Sequence, residues 1–376
     1  MTGPAAGLRV AVDATPLLGA RTGVGVFTAE LLAGLPGAGV DAVAYATSWR
    51  GRHRLAEQVG PGVRVARRPQ AARPLRAAWS RWDHPVIERW TGPVDVVHGP
   101  NYVVPPTRHA AALVTVHDLT FVHHPEMSTA DTLAYPGLIR RAVRRGARVH
   151  TESRFVADEI TAELGVPAER ITVVPLGVTP PPAVDPADGH RLAGGPRYVL
   201  AVGTVEPRKD HPLLVDAFEH LADDDPDLRL VLAGPDGWGA VALDRRLDVA
   251  RHRDRIVRLG WVDDLSRAAL LRGATVLAFP SRYEGFGLPP LEAMAVGTPV
   301  VATAVGAVPE VVGDAAVLVA PGDAVALAGA LAAALDDDEL RARLVAAGHD
   351  RVERFRWSDC VTGLVALYGR LAAGEA

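Results

Sequence analysis

The sequence predicts an α/β protein made of two doubly wound, Rossmann-like domains that face each other across a cleft. Short β-branched runs alternate with longer stretches rich in Ala, Leu and Arg along the 376 residues. Several of these runs are continuously apolar, as expected of parallel strands buried on both faces. A segment rich in Pro, Gly and Asp interrupts the alternation once, which favours two domains in series. Ligands bind at the carboxyl ends of such strands, so a cleft between the domains would bring two of these edges together.

The short runs give the predicted strands in order. Before the interruption they are Arg9–Val12, Ala42–Tyr45, Val94–His98, Ala112–Val116, Arg148–Thr151 and Thr172–Val174. After it they are Tyr198–Val202, Arg229–Ala233, Ile256–Leu259, Thr275–Ala278, Val300–Ala302 and Ala316–Val319. The stretches between them have helical spacing, as in Phe27–Leu35, Leu213–Leu221 and Pro290–Ala295.

The interruption sets the predicted domain boundaries. Its composition between Val178 and Pro196 cannot sustain a helix or a strand, so it is interpreted as a linker. We therefore predict an N-terminal domain over residues 1–180, a linker over 181–196 and a C-terminal domain over 197–356. The formal charge divides at the same place, with +5 on residues 1–180 and −9 on residues 181–376.

Composition excludes several classes of protein. A net charge of −4 argues against a generally basic nucleic-acid binder. The one cysteine, Cys360, excludes an intrachain disulfide and a thiolate metal cluster, and it fits a reducing cytosol. The N-terminus has no cationic segment before an apolar one, and the apolar stretch Ala324–Leu335 is shorter than the roughly 20 residues that span a bilayer. We expect a soluble, cytoplasmic protein.

A glycine loop follows the first strand. Gly23 and Gly25 lie at the start of a predicted helix, where backbone N–H groups and the helix N-terminus favour an anion. The pair comes about ten residues after the strand and lacks a third glycine, so it is a poor dinucleotide fingerprint. A plain turn before a helix is the alternative.

The strand Tyr198–Val202 leads into Gly203-Thr-Val-Glu-Pro-Arg208-Lys209. Lys209 is the only lysine among 40 basic residues, which indicates a need for a compact ammonium rather than a planar guanidinium. Two cations at the carboxyl end of a parallel strand are well placed for a phosphate. A solvated charged loop is the alternative.

The segment Pro280–Glu292 carries the sharpest signal. Glu284 is predicted in a loop after a strand and Glu292 in the following helix, while Gly285 and Gly287 free backbone amides for an anion. Two carboxylates would repel a phosphate but accept hydrogen bonds from vicinal hydroxyls. The pattern therefore predicts a sugar nucleotide, with two solvated acids around a turn as the alternative.

Polar residues also follow strands in the N-terminal half. His117 is a candidate for sugar contact or acid–base chemistry, and Asn101, the only asparagine, for contact with an acceptor. For both, a turn residue is the alternative. His123 and His124 do not form a predicted metal site, because no well-spaced third ligand accompanies them.

Five arginines form a basic stretch. They are interpreted as one helical stripe and its neighbours, with a solvated face as the alternative to contact with a membrane surface or a lipid phosphate. They are Arg140, Arg141, Arg144, Arg145 and Arg148.

Taken in order, these motifs resemble those of the retaining glycosyltransferases of family 4, which have the GT-B fold. The resemblance covers nearly the whole chain and rests on TGVGVF, VHDL, VPLGV, GTVEPRKD, LGWVDD and the Glu284-x7-Glu292 block. It implies that residues 357–376 form a helix that crosses back to the N-terminal domain. Many members place an arginine directly after the glycine of the phosphate motif, where this chain has Thr204. That departure puts more of the phosphate contact on Lys209.

The resemblance also implies roles for individual residues. His117, Lys209 and Glu284 would be catalytic: His117 contacts the transferred sugar, Lys209 with Arg208 neutralises the diphosphate, and Glu284 holds the sugar. Glu292 would take the ribose hydroxyls. The implied donor-binding residues are Gly23, Gly25, Arg208, Lys209, Val262, Gly285, Phe286, Gly287, Leu288 and Glu292.

The implied activity is hexosyl transfer from a nucleoside-diphosphate sugar to a hydroxyl of a glycan, a lipid-linked or a small-molecule acceptor. It would retain the anomeric configuration and need no metal or other cofactor. The motif variants are similar to those of bacterial mannosyl- and glucosyl-type enzymes of surface polysaccharide biosynthesis, which favours GDP-mannose. Such an enzyme would be cytoplasmic, with peripheral contact at the inner face of the membrane. The alternatives are a GT-B epimerase, a phosphorylase with pyridoxal phosphate on Lys209, and a non-catalytic nucleotide-sugar-binding protein.

Overall fold

The computed structural model describes residues 7–19, 22–48, 53–66 and 72–375. Ala20 and Arg21, in the predicted glycine loop, lie outside the described residues. The chain divides into two compact units. The first consists of Met1–Gly177 with Phe355–Ala376, and the second of Val178–Arg354.

The first unit is a parallel sheet with helices in the connections. Its strands are β1 (Arg9–Asp13), β2 (Asp41–Tyr45), β3 (Arg64–Val65), β4 (Val96–Gly99), β5 (Ala111–Thr115), β6 (Arg148–Thr151) and β7 (Ile171–Val173). Its first α-helices are α1 (Gly23–Gly34), α2 (Leu55–Gln58), α3 (Ala72–Trp79), α4 (Glu88–Thr91), α5 (Thr120–His123), α6 (Tyr135–Arg144) and α7 (Arg154–Leu164). The strand order is β3-β2-β1-β4-β5-β6-β7, so the order reverses between β1 and β4.

The second unit repeats this architecture. Its strands are β8 (Tyr198–Val202), β9 (Arg229–Ala233), β10 (Ile256–Gly260), β11 (Val276–Phe279), β12 (Val300–Thr303) and β13 (Val317–Val319). Its helices are α8 (Pro186–Ala193), α9 (His211–Ala222), α10 (Ala240–Asp248), α11 (Asp264–Gly273), α12 (Leu288–Ala295), α13 (Val308–Val312), α14 (Ala324–Asp336) and α15 (Asp338–Val352). The order β10-β9-β8-β11-β12-β13 reverses between β8 and β11, and the described pairings are parallel.

The last helix, α16 (Trp357–Ala373), belongs to the first unit. Glycines let it pack closely there. A Cβ on Gly34 of α1 would lie 2.6 Å from a Val361 methyl, and one on Gly177 would lie 2.3 Å from Trp357 N. Tyr368 of α16 is fully buried in this unit.

The predicted fold class of two doubly wound, Rossmann-like units is confirmed. Each predicted strand is present within one or two residues of its predicted ends. The two-residue strand β3 was not predicted, because it is too short to show a pattern.

The prediction that the segment up to Pro196 is a linker without helix or strand is wrong, because it contains α8. Asp185 caps this helix by accepting from Ala187 N, a proline occupies its first turn, and Gly194 ends it in the left-handed conformation. A Cβ on Gly189 would lie 2.2 Å from the carbonyl oxygen of Ala269 in α11. The Pro, Gly and Asp residues therefore build and pack a helix of the second unit.

The prediction of one arginine stripe is also wrong. Helix α6 ends at Arg144, since Gly146 has a φ of 99°, and Arg148 starts β6. Arg140 donates to the last carbonyls of α7, Arg141 and Arg145 both bind Asp83, and Arg148 donates to Glu169 O. These guanidinium groups hold parts of the first unit together. Among the described helices, none is long and apolar enough to cross a membrane.

Candidate active site

In the second unit, the predicted phosphate motif and the carboxylate motif lie side by side. Strands β8 and β11 are neighbours in the sheet, and the loops that follow them carry Lys209 and Glu284 respectively. Doubly wound sheets bind ligands at such a reversal of strand order, because the loops on either side diverge and leave a crevice. Gly203, directly after β8, has a φ of 143°, which residues with a Cβ rarely adopt.

Glu284 is bound by both cations of the phosphate motif. Lys209 Nζ lies 2.5 Å from Glu284 Oε1, and Arg208 Nη1 lies 2.9 Å from Glu284 Oε2. Arg208 Nε also lies 2.8 Å from Glu206 Oε2. Lys209 and Glu284 are 9% and 6% exposed, so the network is buried and charge-assisted. Lys209 Nζ lies 4.5 Å from the centre of the Phe279 ring, a cation–π distance.

This network sets the charge state of Glu284. Burial alone would raise the pKa of the carboxyl, but Arg208, Lys209 and the hydroxyl of Ser281 outweigh it and lower the pKa to about 2. Burial and the Arg208 charge lower the pKa of Lys209, whereas Glu284 opposes them. The formal charges of the two cations and of the carboxylates of Glu206 and Glu284 sum to zero. The two cations are therefore preorganised by carboxylates rather than left as a net positive patch.

The backbone around Glu284 is held by a neighbouring turn. Glu284 O accepts a hydrogen bond from Ala307 N at 2.9 Å, and a Cβ on Gly306 would lie 2.1 Å from the same oxygen. Ser281 Oγ donates to Glu284 Oε1 at 2.7 Å, and Ser281 O accepts from Thr303 Oγ1. The end of β12 and the turn after it thus position the carboxylate.

Helix α12 begins directly after the Glu284 loop, which also contains Gly285 and Phe286. Its N-cap, Gly287, has a φ of 115° and no side chain caps the helix. The two prolines after Leu288 carry no N–H. The amides at the positive end of this helix are therefore those of Gly287 and Leu288.

Glu292, on α12, is paired with Arg267 on α11. Arg267 donates from both Nη atoms to both carboxylate oxygens, with Nη1 2.9 Å from Oε1. A carboxylate bound in this way keeps lone pairs for hydroxyl donors. Val262 is half-buried in the turn before α11, which Asp263 caps by accepting from Ser266 N at 2.7 Å. Arg267 was not predicted as a site residue, although its place one turn into the helix after LGWVDD was an available signal.

In the first unit, His117 follows β5 and is held through both ring nitrogens. Its Nδ1 lies 2.5 Å from Glu152 Oε1, and its Nε2 lies 2.7 Å from Pro100 O. Burial alone would lower the pKa of His117, but the Glu152 carboxylate outweighs it and the pKa is raised. Glu152 was not predicted as a site residue, although an acidic residue directly after the predicted strand Arg148–Thr151 was a signal.

Asn101 lies in the turn that begins at Pro100, whose carbonyl oxygen is hydrogen-bonded to His117. Tyr102, the next residue, has a φ of 60°, and Val103 N donates to Asn101 O at 2.8 Å. A Cβ on Gly99 would lie 1.9 Å from Val103 O, so the turn requires glycine there. The structure therefore brings the predicted acceptor residue close to His117.

The predicted glycine loop leads into α1. This helix begins at Gly23, with Gly25 buried in its first turn and Thr22 as an N-cap that makes no side-chain bond to the helix. Phe27 of α1 packs edge-on against His117, with ring centres 5.8 Å apart. The start of α1 and His117 are thus part of one packed group in the first unit.

Asp13, which sequence analysis did not select, ends β1 next to the strand that leads into the Asn101 turn. The register pairs Val12 with His98 of β4, so Asp13 lies where the strand order reverses. Its Oδ1 accepts from Thr15 N at 2.9 Å and from Thr15 Oγ1 at 2.5 Å. Burial raises the pKa of Asp13 in spite of these bonds. A carboxylate at this edge is a candidate for binding hydroxyls.

A buried chain of hydrogen bonds crosses the first sheet and ends on α16. It joins Tyr368 Oη to His98 Nδ1 (2.6 Å), His98 Nε2 to Thr115 Oγ1 (2.7 Å), Thr115 Oγ1 to His150 Nδ1 (2.9 Å) and His150 Nε2 to Val174 O (3.0 Å). Burial lowers the pKa of both histidines, so both are neutral at pH 7. Since a carbonyl only accepts, each group donates to the next one toward Val174. This chain was not predicted, because its members are scattered over three strands, the residue after β7 and the last helix.

The two other candidate histidines are paired with carboxylates. His123 Nε2 lies 2.9 Å from Glu159 Oε1, and His124 Nδ1 lies 3.4 Å from Glu126 Oε1. Within the residues that the structure describes, no three His, Cys, Asp or Glu side chains are grouped as ligands for a metal ion.

Two doubly wound units, each with polar groups gathered where its strand order reverses, define the class of the protein as a GT-B-type α/β protein. Solved structures share this fold. Sucrose-phosphate synthase from Thermosynechococcus elongatus matches 98% of this chain and 100% of its own, with a TM-score of 0.75 at 22% identity. WaaG, a glycosyltransferase involved in lipopolysaccharide biosynthesis, matches 95% and 99%, with a TM-score of 0.73 at 17% identity.

Sequence comparisons identify the family. The model described as glycosyl transferases group 1 matches residues 187–351, and the model described as glycosyltransferase family 4 matches residues 21–180. O-antigen chain mannosyltransferase B of Escherichia coli is 32% identical over 78% of this chain and 77% of its own length. Phosphatidyl-myo-inositol mannosyltransferase of Mycobacterium leprae is 31% identical over 85% of each. The chain belongs to the family 4 glycosyltransferases and is an enzyme of that class.

Proposed function

We propose that this enzyme transfers a mannosyl group, with retention of configuration, from a nucleoside-diphosphate sugar to a hydroxyl of a glycan or lipid-linked acceptor in surface polysaccharide or glycoconjugate biosynthesis. The observation that carries the proposal is the buried cluster of Arg208, Lys209 and Glu284 at the reversal of the second sheet. The names of the two mannosyltransferase relatives support mannose over glucose.

The cluster matches the two chemical parts of such a donor. Lys209 and Arg208 supply cations for the diphosphate, and Glu284 accepts from hydroxyls of the sugar. On the base side, Arg267 holds Glu292 in one orientation, which suits a carboxylate that must accept from both ribose hydroxyls. Val262 offers backbone groups to the base in the turn before α11.

In the proposed reaction, the bond between the sugar C1 and the diphosphate oxygen breaks while the acceptor oxygen bonds to C1 on the same face. The acceptor proton passes to the departing phosphate oxygen, so the products are the glycoside and the protonated nucleoside diphosphate. Lys209 and Arg208 stabilise the negative charge that develops on the leaving group. Because these side chains supply that charge, we propose that the reaction needs no divalent metal.

The acceptor is assigned to the first unit. Asp13 ends β1, and Asn101 lies in the turn that follows the neighbouring strand β4, where the order of the first sheet reverses. Both side chains bind hydroxyls well. The formal charge of +5 on residues 1–180 favours an anionic or lipid-phosphate acceptor. Contact with a membrane through the arginines around α6, and a cytoplasmic location at the inner face of that membrane, stay predictions.

The test is release of nucleoside diphosphate from a panel of GDP-, UDP-, ADP- and dTDP-sugars, with EDTA present and without acceptor. We expect slow release from GDP-mannose alone. Release only with added Mg²⁺ would contradict metal independence. A changed sugar nucleotide without release would indicate an epimerase, and an absorbance band of pyridoxal phosphate bound to Lys209 would indicate a phosphorylase.

Donor binding by thermal shift separates the remaining outcomes. Stabilisation by a donor without release in the presence of candidate acceptors would indicate a non-catalytic binding protein. Neither stabilisation nor release with any donor would overturn the proposed activity.

A further inference from the structure

The protonation of His117 follows from the groups that bind it. Pro100 O can only accept a hydrogen bond, so Nε2 must carry a proton. An ionised Glu152 also only accepts, so the bond of 2.5 Å from Nδ1 contains a second proton. Neither ring nitrogen then has a free lone pair.

The surroundings decide which partner holds that second proton. The Glu152 side chain is 1% exposed, its only hydrogen-bond or ion-pair partner among the described residues is His117, and its Oε2 has none. An ionised carboxylate buried in this way is very costly unless its one partner is a cation. The Glu152 charge and the His117 charge therefore depend on each other.

The other titratable groups around the pair do not remove this dependence. His98 of β4 and His150 of β6 are neutral members of the buried chain, since burial lowers the pKa of both and the charge of His117 lowers it further. Asp118, next along the chain, raises it. Burial, and after it the charge of Glu152, raises the pKa of the Cys360 thiol in α16 to about 12.

We propose that Glu152 is a positioning residue that keeps His117 doubly protonated, so that His117 serves as a fixed cation and hydrogen-bond donor and never as a general base. The role of His117 near the transferred sugar rests on the proposed function, but the protonation state does not. The acceptor proton must then go elsewhere, in agreement with its transfer to the leaving phosphate. Through Pro100 O, the same pair also holds the turn that carries Asn101.

Glu152→Gln is the discriminating variant. Its amide N–H can donate to an unprotonated Nδ1 while Nε2–H still donates to Pro100 O, so both hydrogen bonds survive with a neutral ring. A purely structural role would leave such a variant unchanged in activity at every pH. The matched control is Glu159→Gln, which removes the carboxylate of the His123 pair.

The first measurement is the ¹⁵N shift of both ring nitrogens of His117, assigned by comparison with His117→Gln. In the full-length protein we expect both nitrogens to be protonated at pH 8, and in Glu152→Gln only Nε2. A wild-type ring with one proton at pH 7, or equal titration in wild type and Glu152→Gln, would overturn the proposal. This result is independent of any donor or acceptor.

The second measurement is the pH profile of nucleoside diphosphate release. In Glu152→Gln we expect at least tenfold slower release at pH 8, with partial recovery as the pH falls and the ring gains its proton. Glu159→Gln should follow wild type. Unchanged release at every pH would reduce Glu152 to a structural role, and an equal loss at all pH values would show that the charge of His117 is not the cause; either result would refute the proposal. Release from no donor by wild type would refute the proposed function, while the NMR result would still decide the state of His117.

Discussion

At the scale of the residue, the charged side chains of the site were predictable from the sequence, but their partners were not. Lys209 and Glu284 stand out as a unique lysine and as an acid in an apolar loop, so pattern alone selects them. Their contact joins positions 75 residues apart, and Glu152 reaches His117 over 35 residues. Contacts between residues so far apart in sequence depend on which strands are neighbours in the sheet, and the sequence pattern does not give that order.

The pairing of Glu284 with two cations leads to a prediction with opposite effects on binding and turnover. Glu284→Gln should bind the free nucleoside diphosphate several-fold more tightly, because Lys209 and Arg208 lose a competing carboxylate. It should also release the diphosphate from the donor at least tenfold more slowly, since the sugar loses its carboxylate. Isothermal titration and initial rates measure the two effects. Weaker binding of the diphosphate would contradict this account of the cluster.

At the scale of the element, the strands were predicted well and the helix α8 was not. Continuous apolar runs such as Tyr198–Val202 identify buried strands by themselves. In α8, Asp185, a following proline and Gly194 serve as caps, so the residues that usually mark a linker here mark the ends of a helix. Composition alone cannot distinguish a linker from a capped helix here, since whether the segment folds as a helix depends on its packing against α11.

The turn between β12 and α13 carries a second prediction. Gly306→Ala should lower both the stability and the rate of diphosphate release, because its Cβ would push on Glu284 O. Gly322→Ala is the matched control: its φ of 77° is similarly strained, but nothing lies within 4 Å of its Cβ. The control should lose about 1 kcal/mol and no activity. Equal activity in both variants, measured by denaturant unfolding and initial rates, would show that the turn does not position Glu284.

At the scale of the whole molecule, the division into two doubly wound units was predictable because the same pattern occurs twice. The buried chain from Tyr368 to Val174 was not, since it joins α16 to β4 across 270 residues of sequence. The stability of the first unit therefore depends on α16 as well as on the strands of its sheet.

This dependence gives a prediction for stability. Tyr368→Phe should destabilise the protein by about 1–3 kcal/mol, because it leaves His98 Nδ1 buried without a donor. Tyr45→Phe is the control, since its hydroxyl is buried without a partner and its loss should be neutral or stabilising. Equal unfolding midpoints for the two variants would contradict a stabilising hydrogen bond between Tyr368 and His98.

The central claim is that the cluster at the reversal of the second sheet binds and activates the donor. The measurement that tests it most directly is the rate of nucleoside diphosphate release by Lys209→Ala. The control is Arg272→Ala of the same unit, since Arg272 donates to the carbonyls of Pro181 and Pro182 and not to the cluster. We predict a loss of at least tenfold in Lys209→Ala and a rate like wild type in the control. A wild-type rate in Lys209→Ala would contradict the account.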